Sequence, residues 1–305
     1  MVFICTCSQD ATVDILSPLL GDVFRFNIDK RQDYSWDFSK ENFKLTNLKT
    51  REKIDSTSFS SFYLRKPLYL DAIDVPREGC LENWCREEVN ALFEDFYGLC
   101  EARGQTVLVN CRSQRCGKLQ QLLLAERYFK VANWHFCIGE LPTETKNGHW
   151  VAKGITGTPI GKNKAFFVKE VVTSSLDMSY PWFLQEKIIG EEEVTVVYVD
   201  GEIFAYSYPR VSIKDCDDVR KATLEDSARW EPCLLGDDDR SAICAFIKEA
   251  GYRFGRFDFI RKDGELWFLE LNSNGQWIWL DMENKNGLVS SVAKVILRED
   301  SAHRF

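Results

Sequence analysis

The sequence contains no run of about 18 apolar residues, so it predicts no helix that would span a membrane. Histidine is scarce, with 3 residues in the whole chain, and the 11 cysteines are scattered. Neither residue type forms the paired spacing of a zinc site, and an odd number of cysteines fits no closed disulfide framework. These absences disfavour a membrane protein, a zinc domain and a disulfide scaffold, and they predict reduced thiols in the core.

Several reaction classes also lack their usual motif. The sequence shows no GxSxG elbow, no HExxH pair, no persuasive Cys/His dyad and no Walker A loop. A net charge of −8 argues against broad electrostatic binding of nucleic acid. The first residues, MVFICTCSQD, have no basic stretch before their short apolar run. We therefore expect a first strand there and no signal peptide, which makes the cytoplasm the default location.

The pattern of apolar residues predicts an α/β protein of two or three subdomains. Strand, helix and strand follow one another at 2–7, 11–20 and 23–28, as in a parallel layer. Further predicted elements are strands at 43–48, 59–64 and 106–109, and helices at 81–102, 116–129, 238–250 and 290–297.

One predicted hairpin near the C-terminus carries several polar side chains that could bind a ligand. Apolar runs at 256–261 and 265–271 flank an Asp263-Gly264 turn, which is a strong hairpin signal. Side chains alternate along a strand, so Glu270 and Asn272 share one face, and Asp258 on the partner strand can reach that face.

Two carboxylates and an amide in an aromatic-rich hairpin are costly unless a positive charge lies between them. Hard oxygen ligands of this kind favour Mg²⁺, which shares its remaining positions with phosphates and water. A surface hairpin with solvated acids is the alternative, and the neighbouring apolar residues disfavour it.

A glycine-rich loop, KGITGTPIG, begins at Lys153 and includes Gly157. Glycines let backbone N–H groups approach phosphate oxygens, and a lysine at the mouth of the loop adds a point charge. The same loop could be an ordinary exposed turn, and its place upstream of the acidic hairpin favours a phosphate site.

The segment FLELNSNGQW at 268–277 closely resembles the C-terminal signature of ATP-grasp ligases. It resembles more narrowly the peptide macrocyclases that make microviridin-type products (graspetides), although Ser273 stands where that family usually has proline. The segment Asn286-Gly287-Leu288 is similar to the Thr-Gly-Leu-like element that follows. The resemblance implies an α/β ATP-grasp fold: a pre-ATP-grasp domain at 1–112, a central subdomain at 113–180 and a C-terminal antiparallel-sheet subdomain at 181–305.

The resemblance also implies roles for single residues. Lys153 matches the lysine on the α- and β-phosphates of ATP, and Lys118 is the candidate for a second nucleotide lysine, with a solvated helix lysine as the alternative. The implied adenine hinge is Gln185, Glu186, Lys187 and Ile188. Glu193 matches the acidic position that binds ribose hydroxyls or assists the metal, although the adjacent glutamates blur this assignment. The implied Mg²⁺ ligands are Asp258, Glu270 and Asn272.

Two arginines are candidates to grip a substrate carboxylate or acyl-phosphate, because a guanidinium offers a bidentate fork. They are Arg256, beside the hairpin, and Arg210; structural ion pairs are the alternative for both. The segment SFYLRKP at 61–67 resembles an N-terminal segment of the macrocyclases. Asp218 and Arg220 form an Asp-x-Arg element where the family binds the leader of its precursor peptide.

The resemblance implies an ATP-dependent peptide ligase. It would phosphorylate Asp or Glu side chains of a ribosomal precursor peptide and form ester or amide cross-links with Thr, Ser or Lys. The expected cofactors are ATP and Mg²⁺, and the expected partner is the precursor peptide, with a homodimer left open. Two alternatives remain: an ATP-grasp ligase joining an amine to a small molecule or a protein C-terminus, and a catalytically inactive nucleotide-binding protein.

Overall fold

The computed structural model describes residues 1–40, 42–65, 80–109, 116–156, 168–210 and 230–298. Within these ranges the helices are α1 (Ala11–Leu20), α2 (Cys80–Ala102), α3 (Lys118–Ala125), α4 (Asp237–Glu249) and α5 (Leu288–Leu297). The first eight strands are β1 (Val2–Thr6), β2 (Val23–Asn27), β3 (Tyr34–Phe38), β4 (Phe43–Asn47), β5 (Lys53–Asp55), β6 (Ser61–Leu64), β7 (Lys130–Val131) and β8 (Trp134–Cys137). The others are β9 (Trp150–Lys153), β10 (Lys169–Val171), β11 (Trp182–Glu186), β12 (Glu192–Val199), β13 (Glu202–Pro209), β14 (Glu231–Pro232), β15 (Phe254–Lys262) and β16 (Glu265–Asn272).

The N-terminal part contains a parallel sheet in the order β2-β1-β6. Helix α1 connects β1 to β2, and Asp10 caps it by accepting a hydrogen bond from the Thr12 N–H at 3.1 Å. A separate antiparallel sheet, β3-β4-β5, packs with α2 over one side of the parallel sheet through a core of phenylalanines. The predicted parallel strand-helix-strand unit is therefore confirmed, while β3 and β5 were not predicted.

An antiparallel sheet of four strands follows, in the order β10-β9-β11-β8. Its β9 ends at Lys153, where the sequence places the start of the glycine-rich loop. Strand β11 lies between β9 and β8, so the residues that leave β11 run beside the end of β9.

The largest sheet has six strands in the order β14-β13-β12-β15-β16-β7, all antiparallel except for the β16-β7 pair. Its β15-β16 hairpin turns at Asp263 (φ 52°) and Gly264 (φ 79°), the left-handed pair that a two-residue hairpin turn requires. Helices α3 and α4 cover one face, where Phe257, Phe259 and Phe268 are fully buried. The polar residues of the hairpin are left on the other face.

Two of the predicted elements differ from the structure. The strand predicted at 106–109 is wrong, because only a single bridge pairs Thr106 with Phe62. The helix predicted at 116–129 is shorter, since α3 spans Lys118–Ala125 and irregular turns follow it. Among the described residues, no helix combines the length and apolar character needed to cross a membrane.

Gly190, between β11 and β12, has no room for a side chain. A Cβ there would meet the Arg261 carbonyl oxygen and lie 2.5 Å from Ile260 Cγ2. We expect Gly190→Ala to lower the free energy of unfolding by about 1–3 kcal/mol, because the clash involves backbone that cannot move aside. The measurement is urea unfolding followed by circular dichroism.

The matched control is Gly98→Ala in the exposed part of α2, where a Cβ would meet nothing within 4 Å. This change should raise stability by about 0.5–1 kcal/mol, because alanine is the better helix former. Equal effects of the two substitutions would contradict the packing described for Gly190.

Candidate active site

The centre of the candidate site is a β-bulge in the β15-β16 hairpin. Counting from the Lys262–Glu265 pair at the turn, a regular ladder would place Asp258 opposite Leu269. The register instead shifts between Asp258 and Phe259, so that Asp258 lies opposite Glu270. The extra residue therefore puts two carboxylates side by side on the face that α3 and α4 leave open.

Asn272 completes this group. Its Nδ2 lies 2.9 Å from Glu270 Oε1 and 3.2 Å from Asp258 Oδ2. Thr195, on β12, donates its hydroxyl to Asp258 Oδ1 at 3.0 Å, and Arg256 Nη2 donates to Asp258 Oδ2 at 2.8 Å. Asn272 thus lies within hydrogen-bond distance of both other predicted metal ligands, and Asp258 and Glu270 are paired across the ladder.

Lys118, at the first turn of α3, neutralises the second carboxylate. Its Nζ lies 2.9 Å from Glu270 Oε2 and donates to the Gly154 carbonyl at 3.1 Å. Burial would raise the pKa of the Glu270 carboxyl, but attraction to the Lys118 ammonium and hydrogen bonds from Lys118 and Asn272 lower that pKa to about 2. Glu270 is therefore ionised at neutral pH and tied to the start of the glycine-rich loop.

The donor set fits a hard divalent cation. Among the described residues, no three side chains of His, Cys, Asp or Glu gather to hold a metal. The cluster of Asp258, Glu270 and Asn272 instead offers two carboxylates and one amide, which suits Mg²⁺ because that ion accepts few protein ligands and keeps positions for phosphate and water.

Lys153 lies next to this cluster on the four-stranded sheet. Its Nζ donates to Gln185 Oε1 at 2.6 Å, and Gln185 lies on the adjacent strand β11. Gln185 is 1% exposed, and its Nε2 has no hydrogen-bond partner among the described residues. A buried amide donor without an acceptor is costly, so Gln185 is ready for an acceptor on a bound molecule. Gly157 lies outside the described residues.

The predicted hinge is only partly open. The N–H of Glu186 donates to the Asn133 carbonyl at 2.8 Å, and that of Lys187 donates to the His149 carbonyl at 2.7 Å. Neighbouring segments therefore already use the backbone N–H groups of Glu186 and Lys187, which do not donate to a ligand in this arrangement.

Ile188, the last hinge residue, is buried in a small apolar cluster with Ala132 and Ile260, and Trp267 and Leu269 pack against it. This cluster forms an apolar surface between the hinge and the acidic hairpin. Leu269 lies on this face together with Trp267, whereas Ala132 comes from a distant segment, so the pattern along single strands did not reveal the cluster.

The three consecutive glutamates have separate environments. Glu193 is buried and forms an ion pair with Arg210, while Glu192 Oε2 lies 2.8 Å from Arg261 Nη1. Glu191 accepts a weak hydrogen bond from the Asp263 N–H at 3.3 Å. Arg210 is thus brought to Glu193 in this structure. Asp218 and Arg220, the predicted leader-binding pair, lie outside the described residues.

Comparison with solved structures identifies the fold. The chain is similar to the RiPP-associated ATP-grasp ligase of Chryseobacterium gregarium, solved with ADP and a leader and core peptide, with a TM-score of 0.82, 20% identity, and coverage of 99% of this chain and 97% of the other. It is similar to the macrocyclase MdnC of Microcystis aeruginosa MRC, bound with the precursor peptide MdnA, with a TM-score of 0.80, 16% identity, and coverage of 98% and 100%. The ATP-grasp ligase PsnB, complexed with a minimal precursor, Mg and ADP, gives a TM-score of 0.70, 14% identity and coverage of 98% of both chains.

The chain has the ATP-grasp fold. No protein-family model matches the sequence, and no curated protein matches it either. At these identities the structures establish the architecture, and the chemistry has to be argued from the residues described above.

One buried arginine of this chain has no role predicted from the sequence. Arg65, from the segment SFYLRKP, is 1% exposed, and its guanidinium contacts Asn274 and Gln276 just beyond β16. The signal in the sequence was the resemblance of both segments to one family. Nothing in the sequence indicated that the two segments touch.

The Arg210–Glu193 pair yields a stability prediction, because both side chains are mostly buried, with 18% and 10% exposed. We expect Arg210→Met to lower the free energy of unfolding by about 3 kcal/mol, since it removes the arginine that forms an ion pair with a buried carboxylate. Adding Glu193→Gln to Arg210→Met should recover part of this loss in a double-mutant cycle measured by urea unfolding.

The control for this cycle is the Arg253–Asp200 pair, whose arginine is 53% exposed. Arg253→Met should cost about 0–1 kcal/mol, because solvent screens an exposed pair. If Arg210→Met costs no more than this control, the ion pair contributes nothing to folding.

Proposed function

We propose that this protein is an ATP-dependent, ADP-forming peptide ligase that cross-links a precursor peptide through its Asp or Glu side chains. The observation that carries the proposal is the meeting of Asp258, Glu270 and Asn272 on one sheet face, with Lys118 bound to Glu270. Such a group holds a metal–phosphate complex, and the fold supports a ligase that uses one.

The similar structures support the peptide part of the proposal. The Chryseobacterium ligase, MdnC and PsnB were each solved with a precursor or with leader and core peptides, and two of the three also contain ADP. The likeness to these three spans nearly the full length of each chain. A precursor peptide is therefore the substrate class that we infer for this protein.

The nucleotide would lie between the two sheets that form the site. We assign Lys153, Lys118 and Gly157 to the phosphates. We assign Gln185, Glu186, Lys187 and Ile188 to the adenine, where the unpartnered Gln185 Nε2 would donate to a ring nitrogen and Ile188 would supply apolar contact. Glu193 remains the candidate for the ribose.

The first chemical step would be phosphoryl transfer. A carboxylate oxygen of the peptide attacks the γ-phosphorus of ATP, the bond between that phosphorus and the β–γ bridging oxygen breaks, and ADP leaves. Bound Mg²⁺ would supply charge neutralisation on the phosphates. Asp258, Glu270 and Asn272 would hold it, while Lys118 and Lys153 orient the phosphates and offset their negative charge.

The second step would form the cross-link. A Thr or Ser hydroxyl, or a Lys amine, attacks the carbonyl carbon of the acyl-phosphate, inorganic phosphate leaves, and the nucleophile loses its proton. Each ring therefore removes the equivalent of one water from the peptide. Arg256, which donates to Asp258 at the edge of the cluster, is the residue that we assign to the acyl-phosphate. Arg210 is a second candidate, and Asp218 and Arg220 are assigned to the leader.

The proposal is tested by measuring ADP release from Mg-ATP with and without a candidate precursor, which is a short peptide rich in Thr, Asp and Glu from a neighbouring gene. The same samples are analysed by mass spectrometry of the peptide. We expect ADP release that depends on the peptide and a loss of one water mass per ring. Glu270→Ala should abolish both, whereas Glu265→Ala, on the exposed start of the same strand, should leave both unchanged.

Other outcomes would redirect the proposal. ADP release with small amines and acids, but no change of peptide mass, would favour a small-molecule ligase. Nucleotide binding without ADP release under any condition would favour a catalytically inactive binding protein.

A second prediction concerns nucleotide affinity. Lys153→Met should weaken ADP binding about tenfold or more, because it removes a charge-assisted contact to a phosphate. Lys169→Met, on the neighbouring strand β10 and exposed, should change affinity less than about twofold, within the usual range of a surface charge. Isothermal titration calorimetry measures the ADP affinity of both variants. Equal affinities would contradict the assignment of Lys153 to the nucleotide site.

A further inference from the structure

Arg65 connects the N-terminal sheet to the loop that follows the metal-ligand strand β16. It directly follows β6, and its Nη1 donates to both the carbonyl oxygen and the side-chain oxygen of Asn274 at 3.2 Å. Its Nη2 donates to Gln276 Oε1 and, at 3.4 Å, to Thr12 Oγ1. In return, Asn274 Nδ2 donates to the Leu64 carbonyl at 3.1 Å.

The positive charge of Arg65 is balanced by a carboxylate that lies beyond hydrogen-bond distance. Among the described residues, the carboxylate that pairs with it is Asp10, also 1% exposed, whose Oδ2 lies 3.8 Å from Arg65 Nε and accepts a hydrogen bond from Thr6 at 2.6 Å. Burying a charge is costly unless hydrogen bonds satisfy its donors. The two terminal nitrogens of Arg65 donate to Asn274, Gln276 and Thr12, whereas its Nε has no hydrogen-bond partner among the described residues. The shorter contacts of the guanidinium go to the loop rather than to Asp10. Arg65 therefore holds the loop in place.

The loop in turn contacts the metal-ligand group at two points. The Gln276 carbonyl accepts a hydrogen bond at 2.7 Å from Arg256 Nη1, and the other terminal nitrogen of Arg256 donates to Asp258. Gly275 packs directly on the site, since a Cβ on it would lie 2.9 Å from Asn272 Cβ and 3.2 Å from Arg256 Cβ. The Gly275 N–H also donates to the Asn272 carbonyl at 3.1 Å.

From these contacts we propose that Arg65 is a positioning residue for the Mg²⁺-nucleotide site. It holds Asn274 and Gln276 so that the loop fixes Asn272 directly and Asp258 through Arg256. The inference rests on the proposed function only in so far as that function places a metal-bound nucleotide at Asp258, Glu270 and Asn272.

A purely structural role would give a different result. The loop is also anchored by Trp277, which is fully buried in the same core as Tyr63, so the fold does not depend on Arg65 alone. If Arg65 only stabilised the fold, its loss would lower the melting temperature and leave the response of the site to Mg²⁺ unchanged. If it positions the ligands, the Mg²⁺ response itself changes.

The experiment compares the affinity of the full-length protein for ADP in EDTA and in saturating Mg²⁺, measured by calorimetry, for the wild type and Arg65→Met. Asp258→Asn is the reference for loss of a ligand. We expect Arg65→Met to reduce the strengthening of ADP binding by Mg²⁺ about tenfold or more, as for other residues that orient metal ligands. Its ADP affinity in EDTA should stay within about twofold, because the contacts of Lys153 and Gln185 are untouched.

The matched control is Arg298→Met. This arginine also ties its segment to the N-terminal part, through Ser61 Oγ at 3.2 Å and the Thr106 carbonyl at 3.5 Å, without contact to the loop. It should lower the melting temperature and keep the wild-type Mg²⁺ response.

Two milder variants guard against misfolding of Arg65→Met: Arg65→Lys, which keeps the charge without the fork, and Gln276→Ala, which removes one acceptor. Both should show a smaller loss in the same direction.

Three results would overturn the inference. They are an unchanged Mg²⁺ response in all the Arg65 and Gln276 variants that fold, an equal loss in Arg298→Met, and a wild-type affinity for ADP that does not respond to Mg²⁺. Failure of the proposed function would look different: the wild type would bind Mg-ADP normally and release no ADP in the presence of peptide.

Discussion

The single extra residue in β16 is the constraint on which the candidate site depends. Without that bulge, Asp258 would face Leu269, and Glu270 would point toward the phenylalanine core under α3 and α4. With it, both carboxylates lie on the open face, where Lys118 can reach one and Arg256 the other. A single β-bulge thus gives this amphipathic hairpin a compact group of neighbouring positive and negative side chains on its open face.

Those charges also join separate parts of the fold. Lys118 binds Glu270 and the Gly154 carbonyl, so the six-stranded sheet is linked to the end of β9 through one ammonium group. Arg256 links Asp258 to the loop after β16, and Arg65 links that loop to β6. Each sheet that borders the site is therefore connected to it by a cation. Cations would also suit the phosphates of the proposed nucleotide.

The sequence was a good guide where the signals were local. The Asp263-Gly264 turn and the two-residue period gave the hairpin, and the resemblance gave the ATP-grasp fold. The grouping of Asp258 with Glu270 and Asn272 was also predicted correctly, although nothing in the sequence revealed the bulge that produces it. Local signals failed for the strand predicted at 106–109, where apolar character was present without a continuous partner strand. They could not reveal that Asn133 and His149 use the hinge amides, nor that Arg65 meets Asn274, because both depend on distant segments.

The contact between Arg65 and Asn274 spans 209 positions of the chain. Closing so long a loop has an entropic cost that the local hairpin does not have. The hairpin can therefore form early, whereas the loop after β16 is fixed only when it contacts Arg65 in the N-terminal part of the chain. During synthesis β1, β2 and β6 leave the ribosome before β16 does. The arrangement of Asp258, Glu270 and Asn272 is therefore completed late in folding, and a copy without the first strands would keep these three residues but hold them less firmly.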